Sequence, residues 1–319
     1  GRTYAYQIQS ACNTEVWTAM DFFTTLGGNV FITDGNWGDN NDWSGGATPE
    51  EGSNVIIQAN VTIPAGYTAI ANQITIEEGG SITIADGGQL YHQTDDLEVT
   101  MEKTVEPYTD ANSTNNYKLL AFPFFDYPDV PENMTLTEGN DFYMFDNSIP
   151  GEEWQNNKSD AISYVEPKVG YLYANPTTAY LSLSGTATDC PEPGYGQTKD
   201  LVYDETENEV NGWFLLGNPY TCNAYIYGAT ADTIFAMDVM YYDANGDMQT
   251  ISAGPVAPMQ GFFVKITEDT RVFFLAFEYD VDSKTAPRAI SEKKANTQSP
   301  TQDCSLCTRI SQYPFRLSV

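Results

Sequence analysis

Tyr117-Lys-Leu-Leu-Ala-Phe-Pro123-Phe124 and Trp213-Phe-Leu-Leu-Gly-Asn-Pro219-Tyr220 are two versions of one pattern, set 96 residues apart. Each is followed by the same elements in the same order. Phe142-Tyr-Met-Phe-Asp146 answers to Val239-Met-Tyr-Tyr-Asp243, and Gly170-Tyr-Leu-Tyr-Ala174 to Gly261-Phe-Phe-Val-Lys265. Tyr180-Leu-Ser-Leu183 answers to Val272-Phe-Phe-Leu275. The offsets stay nearly constant, 97 residues from Phe145 to Tyr242 and 91 from Gly170 to Gly261, so the chain contains an internal duplication. Aromatic and β-branched content makes each element a strand. Two related β-sandwich-like units follow, at 107–190 and 191–282.

Asn245-Gly246, between Met240-Tyr-Tyr-Asp243 and Met248-Gln-Thr-Ile251, predicts a two-residue hairpin turn. The matching loop of the first copy, Asn147 to Glu153, is longer and carries Pro150-Gly151. The copies therefore share a fold and differ at this tip, the kind of place where binding evolves.

Upstream, Asn54-Val-Ile-Ile-Gln58, Asn60-Val-Thr-Ile63, Gln73-Ile-Thr-Ile76, Ser81-Ile-Thr-Ile84 and Gln89-Leu-Tyr91 are short β-branched runs separated by small turns. None can bury a face alone, and stacking them as rungs solves that problem. The reading is a short β-helix or β-roll-like block over 34–106, with an ordinary meander as the alternative. The fold class is all-β throughout. Residues 1–33 form an N-terminal segment in which Thr14 to Phe23 fits either a short helix or a strand. Residues 283–319 read as a basic linker or tail.

Of 319 residues, 44 are acidic and 14 basic, a net charge of −30. Six of the bases and only two of the acids lie in 283–319, so the acidity belongs to the body of the chain. Such a surface repels a nucleic-acid backbone and an anionic membrane, and suits divalent cations and basic or neutral partners. No apolar run is long enough to span a bilayer as a helix. The opening Gly1-Arg2-Thr3 is expected of a trimmed mature form.

The residues available for chemistry are few. Only one histidine, His92, is present, which excludes a two-histidine zinc motif; it reads as a surface or rung residue. Five cysteines, Cys12, Cys190, Cys222, Cys304 and Cys307, are too few for a disulfide-built scaffold, and Cys304-Ser-Leu-Cys307 lacks the second pair of a zinc site. A carboxylate pair for glycoside cleavage could be drawn from Glu152, Glu153 and Asp160 beside Trp154, but with 44 acids proximity in sequence says little. The loop Asp34-Gly-Asn-Trp37-Gly-Asp39-Asn-Asn-Asp42-Trp43-Ser-Gly-Gly46 gathers hard oxygen donors, making Asp34, Asp39 and Asp42 candidate calcium ligands and the two Trp a core cap. Asp243-Ala-Asn245-Gly-Asp247 opens like an EF-hand loop but lacks the closing Glu, and the hairpin accounts for the same residues.

Asn36-Trp37 through Trp43-Ser-Gly-Gly46, followed by Pro49, Asn54-Val-Ile-Ile57 and Asn60-Val-Thr-Ile63, resembles the opening of Bacteroidetes surface proteins. So do Gly212-Trp-Phe-Leu-Leu-Gly-Asn-Pro219-Tyr220 and Ala257-Pro-Met-Gln-Gly261-Phe-Phe-Val264. In those proteins such segments precede the C-terminal sorting region of type IX secretion. The resemblance covers 36–277 and implies export to the cell surface, with adhesion or a non-catalytic accessory role. Residues 283–319 depart from it, because the Gly-rich sorting strands are missing. The expectation is a secreted or cell-surface, non-catalytic module for adhesion or extracellular assembly, with a protein or glycan surface partner or its own copies. A carbohydrate-binding accessory module and a polysaccharide-cleaving enzyme are the alternatives.

Overall fold

The computed structural model describes residues 3–7, 9–10, 13–24, 29–107, 117–125, 139–149, 151–158, 162, 164–205, 210–231, 233–243, 248–252, 254–278 and 287–289. Two compact units divide the chain. One takes in residues 1–28 and 291–319. Its strands are β1 (Thr3–Tyr6), β2 (Gln9–Ser10), β3 (Asn13–Trp17) and β4 (Asp21–Thr24), with β1 paired to β4 and β2 to β3, all antiparallel. The stretch from Thr14 to Phe23 is therefore strand, not helix.

The second unit, residues 29–290, holds everything else and is all-β; its only helical piece among the described residues is a 3-10 turn at Asn40–Asp42. It opens with short coils. These comprise β5 (Asn29–Phe31), β6 (Gly35–Asn36), β7 (Val55–Ile57), β8 (Asn60–Ile63), β9 (Thr68–Ile70), β10 (Ile74–Ile76), β11 (Ser81–Ile84) and β12 (Gln89–Tyr91). Three parallel ladders stack them in the orders β5-β7-β10, β6-β8-β11 and β9-β12. The register puts like on like. Val55 lies beside Ile74, Val61 beside Ile82 and Ile63 beside Ile84, each at most 4% exposed. Every such side chain is worth about 1.5–3 kcal/mol when buried, and none could be buried by a lone coil. Trp37 and Trp43 pack edge-on at 5.1 Å, Trp43 also meets Phe31 at 5.1 Å, and the Trp43 indole N–H donates to the Trp37 carbonyl at 2.8 Å. The two Trp thus join the core of the first coil, as their loop position predicted.

The nine-residue strand β13 (Leu97–Val105) joins this block to the first copy of the duplication. Its Thr100 and Met101 extend the β11 ladder in parallel, while its whole length pairs antiparallel with β18 (Ala179–Ala187). The boundary expected between 106 and 107 therefore follows a strand that belongs to both neighbours. Between β13 and β18 the first copy supplies β14 (Lys118–Ala121), β15 (Asp141–Phe145), β16 (Trp154–Asn156) and β17 (Gly170–Ala174), in the sheet order β14-β17-β15-β16.

The second copy repeats that plan. β19 (Tyr195–Leu201) stands where β13 stood and pairs antiparallel with β26 (Thr270–Leu275). Within that pair lie β20 (Trp213–Gly217), β23 (Asp238–Tyr242), β24 (Met248–Ser252) and β25 (Gly261–Lys265), in the matching order β20-β25-β23-β24. The second copy adds β21 (Tyr225–Ala229) and β22 (Ile234–Ala236) alongside β26. It also gains β27 (Arg288–Ala289), parallel to β19, so part of the expected 283–319 tail is an edge strand. Tyr242 pairs with Met248 across the β23–β24 hairpin; Asn245 and Gly246, where a two-residue turn is expected, lie outside the described residues.

The copies dock by reciprocal backbone contacts. Leu120 bridges to Gln260, and its counterpart Leu216 bridges to Val169, the counterpart of Gln260. Ala121 N–H donates to Met259 O at 2.9 Å, and Gly217 N–H donates to Lys168 O at 3.2 Å. Lys168 and Met259 are themselves counterparts and both take the left-handed backbone, at φ 65° and 57°. This is the i-to-j, j-to-i pattern of a two-fold interface, here inside one chain. It requires glycine at three points, Gly170, Gly217 and Gly261; a Cβ on Gly217 would sit 2.5 Å from the Val169 carbonyl oxygen. A Cβ on Gly261 would sit 2.7 Å from the Leu120 carbonyl oxygen, and one on Gly170 would fall on the Leu216 carbonyl oxygen.

Gly170→Val and Gly261→Val are each expected to lower unfolding stability by about 2–3 kcal/mol through overpacking against rigid backbone. Urea denaturation checks this. Gly45→Ala serves as the control, because its Cβ would meet only the Asn29 side chain at an ordinary 3.6 Å.

Candidate functional site

Strand alternation gives each four-stranded sheet two faces. On the inner face of the first sheet, Phe142, Tyr171, Tyr173 and Leu120 join one core cluster, while Phe262, Val264, Leu216 and Val239 of the second sheet join another. The residues between them point the other way and meet in a seam. Leu119, Leu172 and Leu215 are buried at its floor, with Tyr117, Tyr143, Phe145, Trp154, Tyr242 and Phe263 half-buried around them. Both copies contribute, and by counterpart positions: Leu119 with Leu215, Leu172 with Phe263, Phe145 with Tyr242.

The rings interlock at steep angles. Phe263 is central, 5.3 Å from Phe145 at 90°, 6.0 Å from Trp154 at 87° and 6.2 Å from Trp213 at 85°. Phe145 meets Trp154 at 5.1 Å and 64°. Edge-to-face pairs of this kind contribute about 0.5–1.5 kcal/mol each beyond their buried area. At the rim, Lys265 Nζ lies 5.0 Å from the centre of the Trp213 ring. Beside the seam, polar ties cross between the copies. Asn147 Nδ2 donates to Trp213 O at 2.9 Å, and Lys118 Nζ to Asp243 O at 3.5 Å. Partial burial pulls the Lys118 ammonium below the usual lysine range, and the Asp243 carboxylate opposes the shift.

The acidic loop is differently used. Asp34 Oδ1 accepts from Asn60 N at 2.9 Å and from Asn60 Nδ2 at 3.1 Å, while Asn60 Oδ1 accepts from the Ser81 hydroxyl at 2.7 Å. Because Asn60 and Ser81 are in register, these three residues form a polar ladder up one corner of the coils. The hydrogen bonds from Asn60 hold the Asp34 carboxyl below its ordinary pKa. Asp39 Oδ1 caps the 3-10 turn by accepting from Asn41 N at 2.9 Å, and Asp42 Oδ2 accepts from Asn36 N at 3.2 Å. Each carboxylate serves its own turn. Asp34, Asp39 and Asp42 are not drawn together as ligands, and among the described residues no group of three or more His, Cys, Asp or Glu is placed to hold a metal ion.

Glu152 is exposed, Glu153 Oε2 accepts from Gly151 N at 2.9 Å within its own loop, and Asp160 lies outside the described residues. Elsewhere Asp95, Asp96 and Glu98 line a cavity of about 450 Å³ beside β13, where Glu98 Oε1 accepts from the Thr186 hydroxyl at 2.5 Å.

His92 is a rung residue but not a surface one. It follows β12, is 1% exposed, and neither ring nitrogen has a hydrogen-bond partner among the described residues. Burial pushes its pKa down to about 4; the Thr94 backbone opposes this without meeting hydrogen-bond geometry. A cavity of about 160 Å³ beside it is lined by Ile70, Asn72, Tyr91, Cys190 and Phe277 among others. Among the described residues no helix is long and apolar enough to cross a membrane, which leaves crossing by strands aside.

No protein-family model matches the chain, and neither a curated protein nor a solved structure matches it significantly.

A base whose folded pKa is depressed favours the unfolded chain once protons become available. The penalty is absent above the unfolded value near 6.5 and complete below the folded value near 4. The stability difference between wild type and His92→Leu should therefore shift by about 3 kcal/mol in favour of the variant between pH 7 and pH 4. Urea midpoints across that range test it; a difference that does not change with pH would contradict it.

Proposed function

We infer that this chain is a non-catalytic module of an exported or cell-surface protein, and that it adheres or assembles through the aromatic seam of its paired copies. The observation that carries the reading is the seam itself. Phe145, Trp154, Trp213 and Phe263 remain half-exposed at a place built by both halves of the duplication. Aromatic residues around a buried apolar floor are the composition of protein interface centres. The net charge of −30 makes nucleic acid and anionic lipid poor partners and a basic or neutral protein surface a good one. The placement outside the cell rests on the resemblance of residues 36–277 to Bacteroidetes proteins exported by type IX secretion.

Glycan binding is the second reading, favoured by the same rings. Sugar stacking needs an open, flat ring face, and angles of 64–90° between neighbours leave the rings turned edge-on into one another.

The test compares wild type with the Trp154→Ala/Phe263→Ala double variant in three assays. These are sedimentation for self-association, retention of protein-coated beads on immobilised basic and neutral protein surfaces, and a glycan array. The expected outcome is self-association or protein retention that falls at least about tenfold in the variant, equivalent to about 1.4 kcal/mol, with the melting transition still cooperative. Selective glycan binding lost in the same variant, or cleavage of a polysaccharide, would overturn the reading.

A further inference from the structure

Two cysteines far apart in sequence meet in the interior of the second unit. Cys190 follows β18 and is 3% exposed; Cys222 follows β20 and is 0% exposed. Their sulfurs lie 2.8 Å apart. Non-bonded heavy atoms settle at about 3.5–4.0 Å, whereas sulfurs in a disulfide are about 2.05 Å apart. Two separate thiols have no reason to be held so close, and no metal-binding group of three or more His, Cys, Asp or Glu accounts for the approach among the described residues. We propose that Cys190 and Cys222 form a structural disulfide that fastens the end of the first copy to the second beside the last coil.

The surroundings show what such a bond would fasten. Cys190 N donates to His92 O at 2.8 Å, tying the Cys190 segment to the chain leaving the last coil. Cys222 is adjacent to Thr221, whose hydroxyl donates to Leu90 O at 2.7 Å and whose carbonyl accepts from Leu90 N at 2.9 Å. Asn223 N donates to Gln89 Oε1 at 2.9 Å. Two segments 32 positions apart thus converge on β12, with the sulfurs between them. The Asn218 side chain sets the turn that delivers Cys222, donating to Cys222 O at 2.8 Å and to Val256 O at 2.9 Å and accepting from Tyr220 N at 2.8 Å.

The chemistry is thiol–disulfide exchange with a small or protein disulfide as oxidant. One cysteine loses its proton and its thiolate attacks the oxidant, forming a mixed disulfide and releasing one thiol. The second cysteine's thiolate then attacks the mixed disulfide, closing the Sγ–Sγ bond and releasing the oxidant's other thiol. The two cysteines give up two electrons and two protons, and the oxidant's S–S bond is reduced to two thiols. Burial pushes the Cys222 thiol far above its ordinary range. Exchange in the folded protein is therefore slow in either direction, and the bond forms while the chain is still open. Cys12, Cys304 and Cys307 lie outside the described residues and remain as competitors.

The experiment is independent of where the chain resides. Full-length protein is unfolded, reduced, refolded in mixed reduced and oxidised glutathione, alkylated, digested without reductant and mapped by mass spectrometry. The expected result is one cross-linked peptide joining Cys190 to Cys222, lost on reduction. Alkylation of both residues, or either one linked to Cys12, Cys304 or Cys307, would overturn the proposal. As a second measurement, the Cys190→Ala/Cys222→Ala variant is expected to melt about 10 °C below oxidised wild type and close to wild type refolded without oxidant. Equal melting of the variant and oxidised wild type would contradict a fastening role.

Discussion

Two strips of backbone pressed against each other around a pseudo-two-fold axis set the arrangement of the second unit. Leu120–Ala121 lies on Met259–Gln260, and Leu216–Gly217 lies on Lys168–Val169. The approach leaves no room for a side chain at Gly170 or Gly261, and it holds Lys168 and Met259 in a backbone region that non-glycine residues seldom enter. Reversing strand alternation at any one position would expose a core residue and bury a seam residue. Docking therefore determines which of two adjacent aromatic residues, Phe262 or Phe263, is core and which is surface.

The rest of the second unit is arranged around that pair. The coil block has no closed end of its own, because β13 is both its last parallel strand and the antiparallel partner of β18. The second copy rests on the other side of the last coil through Thr221, Asn223 and the Cys190–Cys222 contact. His92 is enclosed at that junction, neither ring nitrogen hydrogen-bonded among the described residues, and burial lowers its pKa there. The coils are held differently, by stacked Val and Ile inside and by the Asp34–Asn60–Ser81 ladder at a corner.

Order and composition made much of this legible in the sequence. The matched strands of the duplication became two sheets of identical strand order, and the Ile-Thr-Ile runs became strands of parallel ladders. The pairing of β13 and β19 as counterparts was hidden, because Leu97-Glu-Val-Thr-Met101 and Tyr195-Gly-Gln-Thr-Lys199 share strand geometry but little chemistry. The acidic loop shows what residue spacing leaves out. Asp34, Asp39 and Asp42 are close in sequence, yet residue spacing does not encode the direction of a carboxylate, and each is turned toward a different backbone amide. Phe145 and Phe263 were visible as strand residues and Trp154 only as a neighbour of Glu152 and Glu153, but only the docking of the copies reveals that they share one seam. Lys168 and Met259 carry no glycine-like signal for their positive φ, so the reciprocal contact could not be read in advance.

Hydrogen exchange at the amides of Ala121 and Gly217 tests that contact most directly. Each donates to the opposite copy, at 2.9 Å and 3.2 Å respectively. If the copies are held by one reciprocal interface, both amides exchange only with global unfolding of the second unit, at the same opening free energy and with the same denaturant dependence. Exchange of either amide through a separate, lower-energy opening would show that the copies are independent and that the seam is not a single structural element.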